Sequence, residues 1–340
     1  MTHFHIDDIS LNLSNYCLGR CRYCQLHNPK FWKLENEMTL EDLDNLFHDP
    51  MLQHLKTIHI TGGEPFLSPK ILGLVDIIAE THPDVPVNSP ISGLYPYLTY
   101  NLAERIQKKL PQYRYNVALE GPNREIHEKI RGKETWNPLW ETLFFLKEKL
   151  DCNVRVNMTV YSENYKYIVD THDLAEYSDL ELYINFGRFS KRFGNVKDGF
   201  MGIPKSSRKE IVQQIEDQLN EIGWINKRPL NTQKWILQKA GWLGQKVKWT
   251  CLMGERSIDV DPYGDVWCCL MNPEIGWLGN IKRINIKGEK VSLTSILNRK
   301  HTTDILEEIR NGECQPCSFT CSLKIKDYEI DGRKYMGVNV

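Results

Sequence analysis

Three cysteines near the amino terminus have the spacing of a metal-binding loop. Cys17, Cys21 and Cys24 follow the pattern C-x3-C-x2-C and come shortly after an alternating segment that ends at Ser14. Three thiolates on one short loop can bind three irons of a four-iron cluster, and the fourth iron then lacks a protein ligand. The spacing therefore favours an iron–sulfur cluster with one iron open to a further ligand.

Zinc is the alternative metal for this loop. C-x2-C pairs are common in zinc ribbons, but a structural zinc site takes four Cys or His ligands. The nearest candidate for the fourth ligand is His27. The loop favours iron and leaves zinc open as a second interpretation.

A glycine-containing motif, Thr61-Gly62-Gly63-Glu64-Pro65, follows the second predicted strand. Because Gly62 and Gly63 have no side chains, their backbone can approach a ligand closely and adopt dihedrals that other residues avoid. Glu64 offers a carboxylate to a cationic group. Taken alone, the motif predicts an ordinary turn, but its place after the cysteine loop favours a binding role.

Together the two motifs resemble the radical S-adenosylmethionine (radical SAM) superfamily, which also has an aromatic residue, here Tyr23, before the third cysteine. The resemblance implies that Cys17, Cys21 and Cys24 bind a [4Fe-4S] cluster whose open iron is chelated by S-adenosylmethionine (SAM). It also implies cofactor contacts from five residues: Tyr23, Gly62, Gly63, Glu64 and Pro65.

Two further positions resemble this superfamily less closely. Glu120 lies where the family more often has Asp, and the resemblance implies a contact from Glu120 to the ribose or the substrate. Asn157 matches a fifth-strand position that often faces the cofactor; the alternative is a strand residue whose hydrogen bonds are satisfied by its neighbours. His127 and Arg131, at i and i+4, are expected to cap or salt-bridge a helix surface.

The elements that must position these residues alternate between strand and helix. Strands are predicted at residues 6–14, 55–61, 86–92, 113–119, 152–160 and 180–186, with helical segments between them. This alternation predicts an α/β fold with a parallel sheet, and six units predict a partial (β/α)6 TIM-type barrel. Ligands of such sheets bind at the carboxyl ends of the strands, where the cysteine and glycine motifs fall.

A second group of cysteines lies near the carboxyl terminus. Cys251 and Cys269 flank a predicted hairpin with a Pro-Tyr-Gly turn, and Cys314 and Cys317 follow as C-x2-C, so that four ligands could close a metal site. The pattern resembles the SPASM/twitch domain of radical SAM enzymes, in its shorter single-cluster form, and implies an auxiliary [4Fe-4S] cluster. A structural zinc ribbon is the alternative.

Three cysteines remain outside these sets. Cys152 and Cys268 are expected to pack in the core, although Cys268 competes with Cys269 as a ligand. Cys321 is expected to be a ligand or an ordinary residue first. A catalytic role as hydrogen-atom donor to a substrate radical is the third option for Cys321.

These assignments divide the chain into three parts: a radical SAM partial barrel at residues 1–190, a helical linker or lid at 191–250, and a smaller twitch/SPASM-like domain of hairpin and helix at 251–340. The middle part is basic and contains four tryptophans, Trp224, Trp235, Trp242 and Trp249. Packing of this segment on the barrel is favoured over a role as a substrate lid or docking face.

Composition limits the partners and the compartment. The 340 residues are 41% hydrophobic and 26% charged with a net charge of -1, which gives no electrostatic reason to expect nucleic acid or an acidic membrane as partner. We find no signal-peptide pattern and no apolar run of about 18 residues. Ten cysteines in clustered spacings are expected in a reducing cytoplasm.

The resemblance implies a reaction and an external electron donor such as flavodoxin or ferredoxin. Reductive cleavage of SAM yields methionine and a 5'-deoxyadenosyl radical, which abstracts hydrogen from a substrate carbon. A fully ligated auxiliary cluster is better placed to accept an electron than to bind substrate, so net oxidation is expected.

The substrate is less well defined. Since about five residues precede the first predicted strand, we expect no amino-terminal leader-peptide domain. A small hydroxylated or amino-bearing metabolite is therefore favoured over the alternative, crosslinking or epimerisation of a ribosomally made peptide. A non-catalytic metal-binding module is the alternative of another class.

Overall fold

The structure is a computed structural model that describes residues 4–187, 204–269, 276–310 and 325–338. Six parallel strands form its centre and confirm the predicted partial barrel. These strands, β1 to β6, are Asp8–Ser14, Thr57–Gly62, Val87–Ile91, Arg114–Ala118, Asn153–Val160 and Glu181–Phe186.

Helices connect consecutive strands on one side of this sheet. Helix α1 begins with a capping box, in which the Thr39 side chain accepts the Asp42 N–H (3.1 Å) and the Asp42 carboxylate accepts the Thr39 N–H (2.9 Å). A π-helix at Phe145–Lys149 extends α5. Helices α1 to α6 are Leu40–Phe47, Ile71–Thr81, Pro96–Lys109, Arg124–Arg131, Trp136–Phe144 and Ile168–Tyr177.

The sheet has one apolar face and one polar face, because successive side chains of a strand point to opposite faces. Ile9, Leu11 and Leu13 of β1 are at most 1% exposed and belong to the main core with the helices. On the opposite, inner face, paired positions are polar: Ser10 lies beside His59, His59 beside Asn88, Asn116 beside Arg155, and Asn157 beside Tyr183. The helices therefore cover the apolar face, and the barrel encloses the polar one.

Three helices follow β6 and cover that edge of the barrel. They are α7 (Arg208–Glu221), α8 (Trp224–Lys227) and α9 (Pro229–Leu243). The rings of Trp224, Trp235 and Trp242 surround Phe186 of β6 with centroid separations of 5.4–6.0 Å. These three tryptophans pack on the barrel, as favoured by the sequence.

The remaining strands extend the first sheet and build a second one. Strands β7 to β12 are Val247–Cys251, Ser257–Val260, Asp265–Trp267, Trp277–Asn280, Ile325–Ile330 and Arg333–Met336. Strand β8 pairs in parallel with β1, and β9 and β10 continue the sheet antiparallel, so that nine strands run in the order β10-β9-β8-β1-β2-β3-β4-β5-β6. Strands β12, β11 and β7 form a smaller antiparallel sheet.

Two helices, α10 (Leu293–Leu297) and α11 (Lys300–Arg310), complete the described carboxyl-terminal part. The hairpin expected between Cys251 and Cys269 is present as β8 and β9, with Val260 opposite Val266. The three-part division of the chain stays a prediction. Within the described ranges, no helix has both the length and the apolar character needed to cross a lipid bilayer.

Candidate functional site

The cysteine loop follows the carboxyl end of β1. The thiols of Cys17 and Cys21 lie on either side of Gly19, where an added Cβ would be 3.5 Å from one sulfur and 3.8 Å from the other. The Gly19 N–H donates to Cys17 Sγ (3.4 Å), and the Cys24 N–H donates to the Cys21 carbonyl oxygen (3.1 Å). A tight turn thus holds the three cysteines in one short loop.

The three sulfurs do not stand as close together as the ligands of a single zinc ion. Tetrahedral zinc with bonds of about 2.3 Å brings its sulfur ligands to roughly 3.8 Å of one another. In the part of the chain that the structure describes, the sulfurs of Cys17, Cys21 and Cys24 do not all lie within 4.8 Å of one another, with or without His27. The Nδ1 atom of His27 instead hydrogen-bonds with the Cys24 carbonyl oxygen (3.2 Å).

Burial favours the protonated form of Cys17 and Cys21. It raises the pKa of Cys17 to about 12, against the opposing effect of the Gly19 N–H. Burial also raises the pKa of Cys21, and the nearby Arg131 guanidinium opposes this rise. Because a metal binds the thiolate, metal binding at this loop must displace these protons.

The glycine motif packs against the entry to the cysteine loop. A Cβ at Gly63 would lie 2.4 Å from the Tyr16 carbonyl oxygen, and one at Gly62 (φ +144°) would lie 2.3 Å from that of Ser14. The Gly63 N–H donates to the Ser14 carbonyl (2.8 Å), and the Glu64 N–H donates to that of Tyr16 (2.9 Å). The glycines therefore permit contact between two backbones, and their predicted contact with SAM stays a prediction.

Glu64 is a buried carboxylate with both oxygens hydrogen-bonded. It is 3% exposed; Ser92 donates its N–H to Oε2 (2.8 Å), and Phe66 donates its N–H to Oε1 (3.4 Å). Burial raises the pKa of Glu64. Pro65, also buried, begins a short 3-10 helix at Pro65–Leu67. Glu64 thus joins the loops after β2 and β3, and cofactor contacts from Glu64 and Pro65 stay predictions.

Glu120 connects the cysteine loop to three other elements. The Tyr23 hydroxyl donates to Glu120 Oε1 (2.6 Å), and the Thr159 N–H donates to Oε2 (2.9 Å). Arg131 Nη1 lies 3.8 Å from Oε1 and 3.4 Å from the Tyr23 hydroxyl. Burial raises the pKa of Glu120, whereas Arg131 and the two hydrogen bonds act against that rise. The predicted ribose or substrate contact of Glu120 and the cofactor contact of Tyr23 stay predictions.

The expectation that His127 and Arg131 lie on a helix surface is wrong. They are 0% and 8% exposed, because α4 turns the face that carries Ile126 and Ile130 towards the core and both polar residues adjoin that face. His127 Nδ1 accepts the Glu120 N–H (3.3 Å), and burial lowers the pKa of His127 to about 3. His127 is therefore neutral at physiological pH.

Asn157 lies on the inner face of the barrel. Its Oδ1 accepts a hydrogen bond from Asn185 Nδ2 (2.8 Å), so a neighbour on β6 satisfies it as the alternative interpretation expects. Contact with the cofactor stays a prediction.

The carboxyl-terminal cysteines are described only in part. Cys251 and Cys269 both border one apolar cluster, formed by Leu237, Ala240, Val247, Met253, Tyr328 and Ile330. Cys268 (0% exposed) and Cys152 (8%) belong to the main core, as expected. Cys314, Cys317 and Cys321 lie outside the described residues. The auxiliary ligand set and the role of Cys321 therefore stay predictions.

The sequence of residues 11–175 matches the Radical SAM superfamily. The chain contains a radical SAM domain. Such a domain uses a [4Fe-4S] cluster and SAM, and the cysteine loop after β1 offers three free thiols, the donor type that such a cluster takes.

Curated relatives of this chain differ in activity. A GTP 3',8-cyclase of Aliarcobacter butzleri is 26% identical over 216 residues, which are 62% of this chain and 63% of the relative. The antilisterial bacteriocin subtilosin biosynthesis protein AlbA of Bacillus subtilis is 23% identical over 284 residues, or 80% of this chain and 56% of AlbA. The matched region thus spans less than two thirds of either relative.

Solved structures share the fold over most of the described chain. The enzyme anSMEcpe with bound AdoMet has a TM-score of 0.63 at 16% identity, covering 91% of this chain and 86% of that one. SuiB of Streptococcus suis bound to precursor peptide SuiA has a TM-score of 0.60 at 12% identity, covering 92% of this chain and 70% of SuiB. At these identities the likeness establishes the fold.

Proposed function

We propose that this radical SAM protein abstracts a hydrogen atom from a carbon of a small polar metabolite, in a reaction that is a net oxidation. One observation supports the proposal most: the cysteine loop stands at the carboxyl end of β1, above an inner barrel face lined by polar residues such as Asn116, Arg155 and Asn157. A barrel interior with these side chains suits hydroxyl and amino groups rather than an apolar substrate.

The residues of the chain hold, orient and enclose the reacting groups. Cys17, Cys21 and Cys24 would bind three irons of the cluster and leave the fourth for SAM. When bound, cluster and SAM supply a 5'-deoxyadenosyl radical by reductive cleavage of SAM. Tyr23, joined to Glu120 (2.6 Å), fixes the loop to the end of β4, and the barrel wall excludes water from the radical.

The carboxyl-terminal part would supply the electron acceptor. Cys251, Cys269, Cys314 and Cys317 are proposed to hold an auxiliary [4Fe-4S] cluster. It would supply the acceptor for the one electron that a substrate radical must lose, together with a proton, to complete a net oxidation. An external donor such as flavodoxin or ferredoxin reduces the first cluster. Iron analysis tests this assignment: about eight irons per chain should fall to about four when Cys17, Cys21 and Cys24 are all changed to Ala. Zinc in the carboxyl-terminal site would contradict the acceptor role.

The decisive test of the radical function is SAM cleavage. Anaerobically reconstituted protein, reduced with dithionite, should release 5'-deoxyadenosine from SAM, and the triple Ala variant should release none. A protein that binds iron but yields no 5'-deoxyadenosine would be a metal-binding module and would refute the proposal.

A peptide is the second candidate substrate. It is favoured by similarity to AlbA over 80% of this chain and by the shared fold with SuiB, which is bound to a precursor peptide in its structure. A precursor-peptide gene beside the gene for this chain would favour this candidate. Incubation of that peptide with the reduced enzyme should then produce a mass change that depends on SAM.

A further inference from the structure

Two cationic side chains meet at one aromatic ring on the inner face of the barrel. The guanidinium carbon of Arg155 on β5 lies 4.2 Å from the ring centroid of Tyr183 on β6. The Nζ atom of Lys234 on α9 lies 4.7 Å from the same centroid and donates to the Tyr183 hydroxyl. Arg155 Nε also donates to Asn116 Oδ1. Three elements thus bring two positive charges to one place.

Neither cation has a carboxylate partner among the described residues. Lys234 is 2% exposed and Arg155 is partly buried, yet no Asp or Glu oxygen in the described ranges lies within 4.0 Å of either. Two other cations of this region are paired: Lys239 of α9 with Glu216, and Arg228, which precedes α9, with Glu181 (2.9 Å).

The nearest carboxylate does not neutralise this pair of cations. Glu181 of β6 lies beside Arg155 and acts to raise the pKa of Arg155, but Glu181 forms its ion pair with Arg228. Burial of a cation without a counter-charge is costly, and an aromatic face together with neutral oxygens compensates only part of that cost. Burial accordingly lowers the pKa of Arg155. An anion seated between the two side chains would supply the missing charge and accept their N–H groups.

The position of the two cations relates them to the proposed reaction site. Residues 155, 157 and 159 of β5 point to the same inner face, and Thr159 already contacts Glu120 beside the cysteine loop. Since a strand rises about 3.3 Å per residue, Arg155 lies roughly 13 Å below Thr159 along the strand. A small molecule held at Arg155 would extend from the barrel floor towards the cysteine loop.

We propose that Arg155 and Lys234 form a site for an anionic group, a phosphate or a carboxylate, on the substrate of this enzyme. The identification of the ligand as the substrate rests on the proposed function, whereas the anion site itself does not. The site would anchor one end of the substrate and leave a carbon near the mouth of the barrel for hydrogen abstraction.

Titration with two simple probes tests the site. Isothermal titration calorimetry on the reconstituted protein, at constant ionic strength, should show saturable one-to-one binding of inorganic phosphate or of succinate, and the better probe distinguishes the two anion classes. Lys234→Met and Arg155→Gln should each weaken this binding by about tenfold or more, whereas Lys234→Arg should retain most of it.

Matched controls separate a site from general charge. Lys239→Met on α9 and Arg124→Gln on α4 remove cations that already have carboxylate partners, Glu216 and Glu128, and both variants should bind the probe as the unmodified protein does. Circular dichroism verifies the fold of each variant. If one of the two site variants unfolds, anion binding by the other site variant decides. The proposal is overturned if neither probe binds saturably, if both site variants bind normally, or if the controls lose as much. SAM cleavage without substrate, measured in parallel, reports failure of the proposed function separately.

Discussion

At the scale of single residues, the cysteine loop depends on side chains that are far apart in the chain. Tyr23, Glu120 and Arg131 form one buried network, in which Glu120 accepts from Tyr23 and lies 3.8 Å from the Arg131 guanidinium. Removal of one charge from such a network leaves the other buried without compensation. The network therefore stabilises both the fold and the position of the loop.

Glu120→Gln should destabilise the protein by about 2–4 kcal/mol, because Arg131 loses its counter-charge and the amide can accept only one of two hydrogen bonds. Urea denaturation measures this change. Glu104→Gln, which removes only an exposed pair with Lys108 on α3, should have little effect. Equal stability of the two variants would show that the Glu120 network contributes nothing.

Gly63→Ala should cost about 2 kcal/mol or more and reduce iron incorporation, since the new Cβ would lie 2.4 Å from the Tyr16 carbonyl oxygen and displace the cysteine loop. Denaturation and iron analysis after reconstitution check both effects. Gly241→Ala on α9 is the control, because a Cβ there meets no atom within 4 Å. It should stabilise the protein by about 0.5–1 kcal/mol. A Gly63→Ala protein with normal stability and iron content would contradict the packing argument.

The sequence allows only part of this site to be predicted. The C-x3-C-x2-C spacing and Gly62, which adopts a positive φ, are local features of the sequence. Their positions after the first and second strands can therefore be predicted from the order of the chain. The burial of His127 and Arg131 was missed, because i, i+4 spacing does not say which helix face is buried. The adjacent Ile126 and Ile130 were the available signal, since they mark the same side of α4 as apolar.

At the scale of elements, α9 closes the barrel edge at β6. Trp235 is 1% exposed, contacts Phe186 and Trp242, and donates its Nε1–H to Glu216 (2.8 Å). The tryptophans of this region therefore hold the helix on which Lys234 stands.

Trp235→Ala should destabilise the protein by about 3–5 kcal/mol through the cavity that it creates. Leu243→Ala, at the exposed end of the same helix (38% exposed), should cost less than about 1 kcal/mol. Equilibrium unfolding compares the two. A small loss for Trp235→Ala would indicate that α9 is not firmly packed on β6.

The turn between β8 and β9 should make stability depend on pH. Burial, together with Asp265, raises the pKa of Asp261 to about 6, above the value near 3.9 of an unfolded Asp. The folded state thus binds this proton more tightly. The resulting stabilisation is complete below about pH 4 and is lost as the pH rises through about 6.

Asp261→Asn should remove this dependence while retaining the oxygen that accepts the N–H groups of Tyr263 (2.9 Å) and Asp265 (3.1 Å). Relative to the unmodified protein, the variant should gain about 2 kcal/mol in unfolding free energy between pH 4 and pH 8. Denaturation at both pH values measures the difference. If the stability difference between the variant and the unmodified protein is the same at pH 4 and pH 8, the raised pKa of Asp261 is contradicted.

The order of the first six strands follows from the sequence because each βα unit pairs with its neighbour. The parallel pairing of β8 with β1 does not, since residues 257–260 and 8–11 are distant in the chain and a short apolar alternation carries no information about its partner. For the same reason the sequence predicts the β8–β9 hairpin as part of a separate domain. It does not predict that this hairpin continues the sheet of the barrel.

At the scale of the whole molecule, one curved sheet carries the proposed chemistry from end to end. Strand β1, inside this sheet, presents the cysteine loop. The inner face is polar, and the edge formed by β5 and β6 carries Arg155 and Tyr183 with Lys234 of α9 beside them. The radical would be formed at the mouth of the barrel, and the substrate would be held below it. The central claim is that one iron at the mouth lacks a protein ligand and binds SAM.

Electron paramagnetic resonance of the reduced protein, with and without SAM, can detect this open iron. SAM should change the signal of the cluster held by Cys17, Cys21 and Cys24, and the triple Ala variant should lack both that signal and the change. A cluster signal that is identical with and without SAM would mean that every iron already has its full set of ligands, and SAM binding at this loop would be refuted.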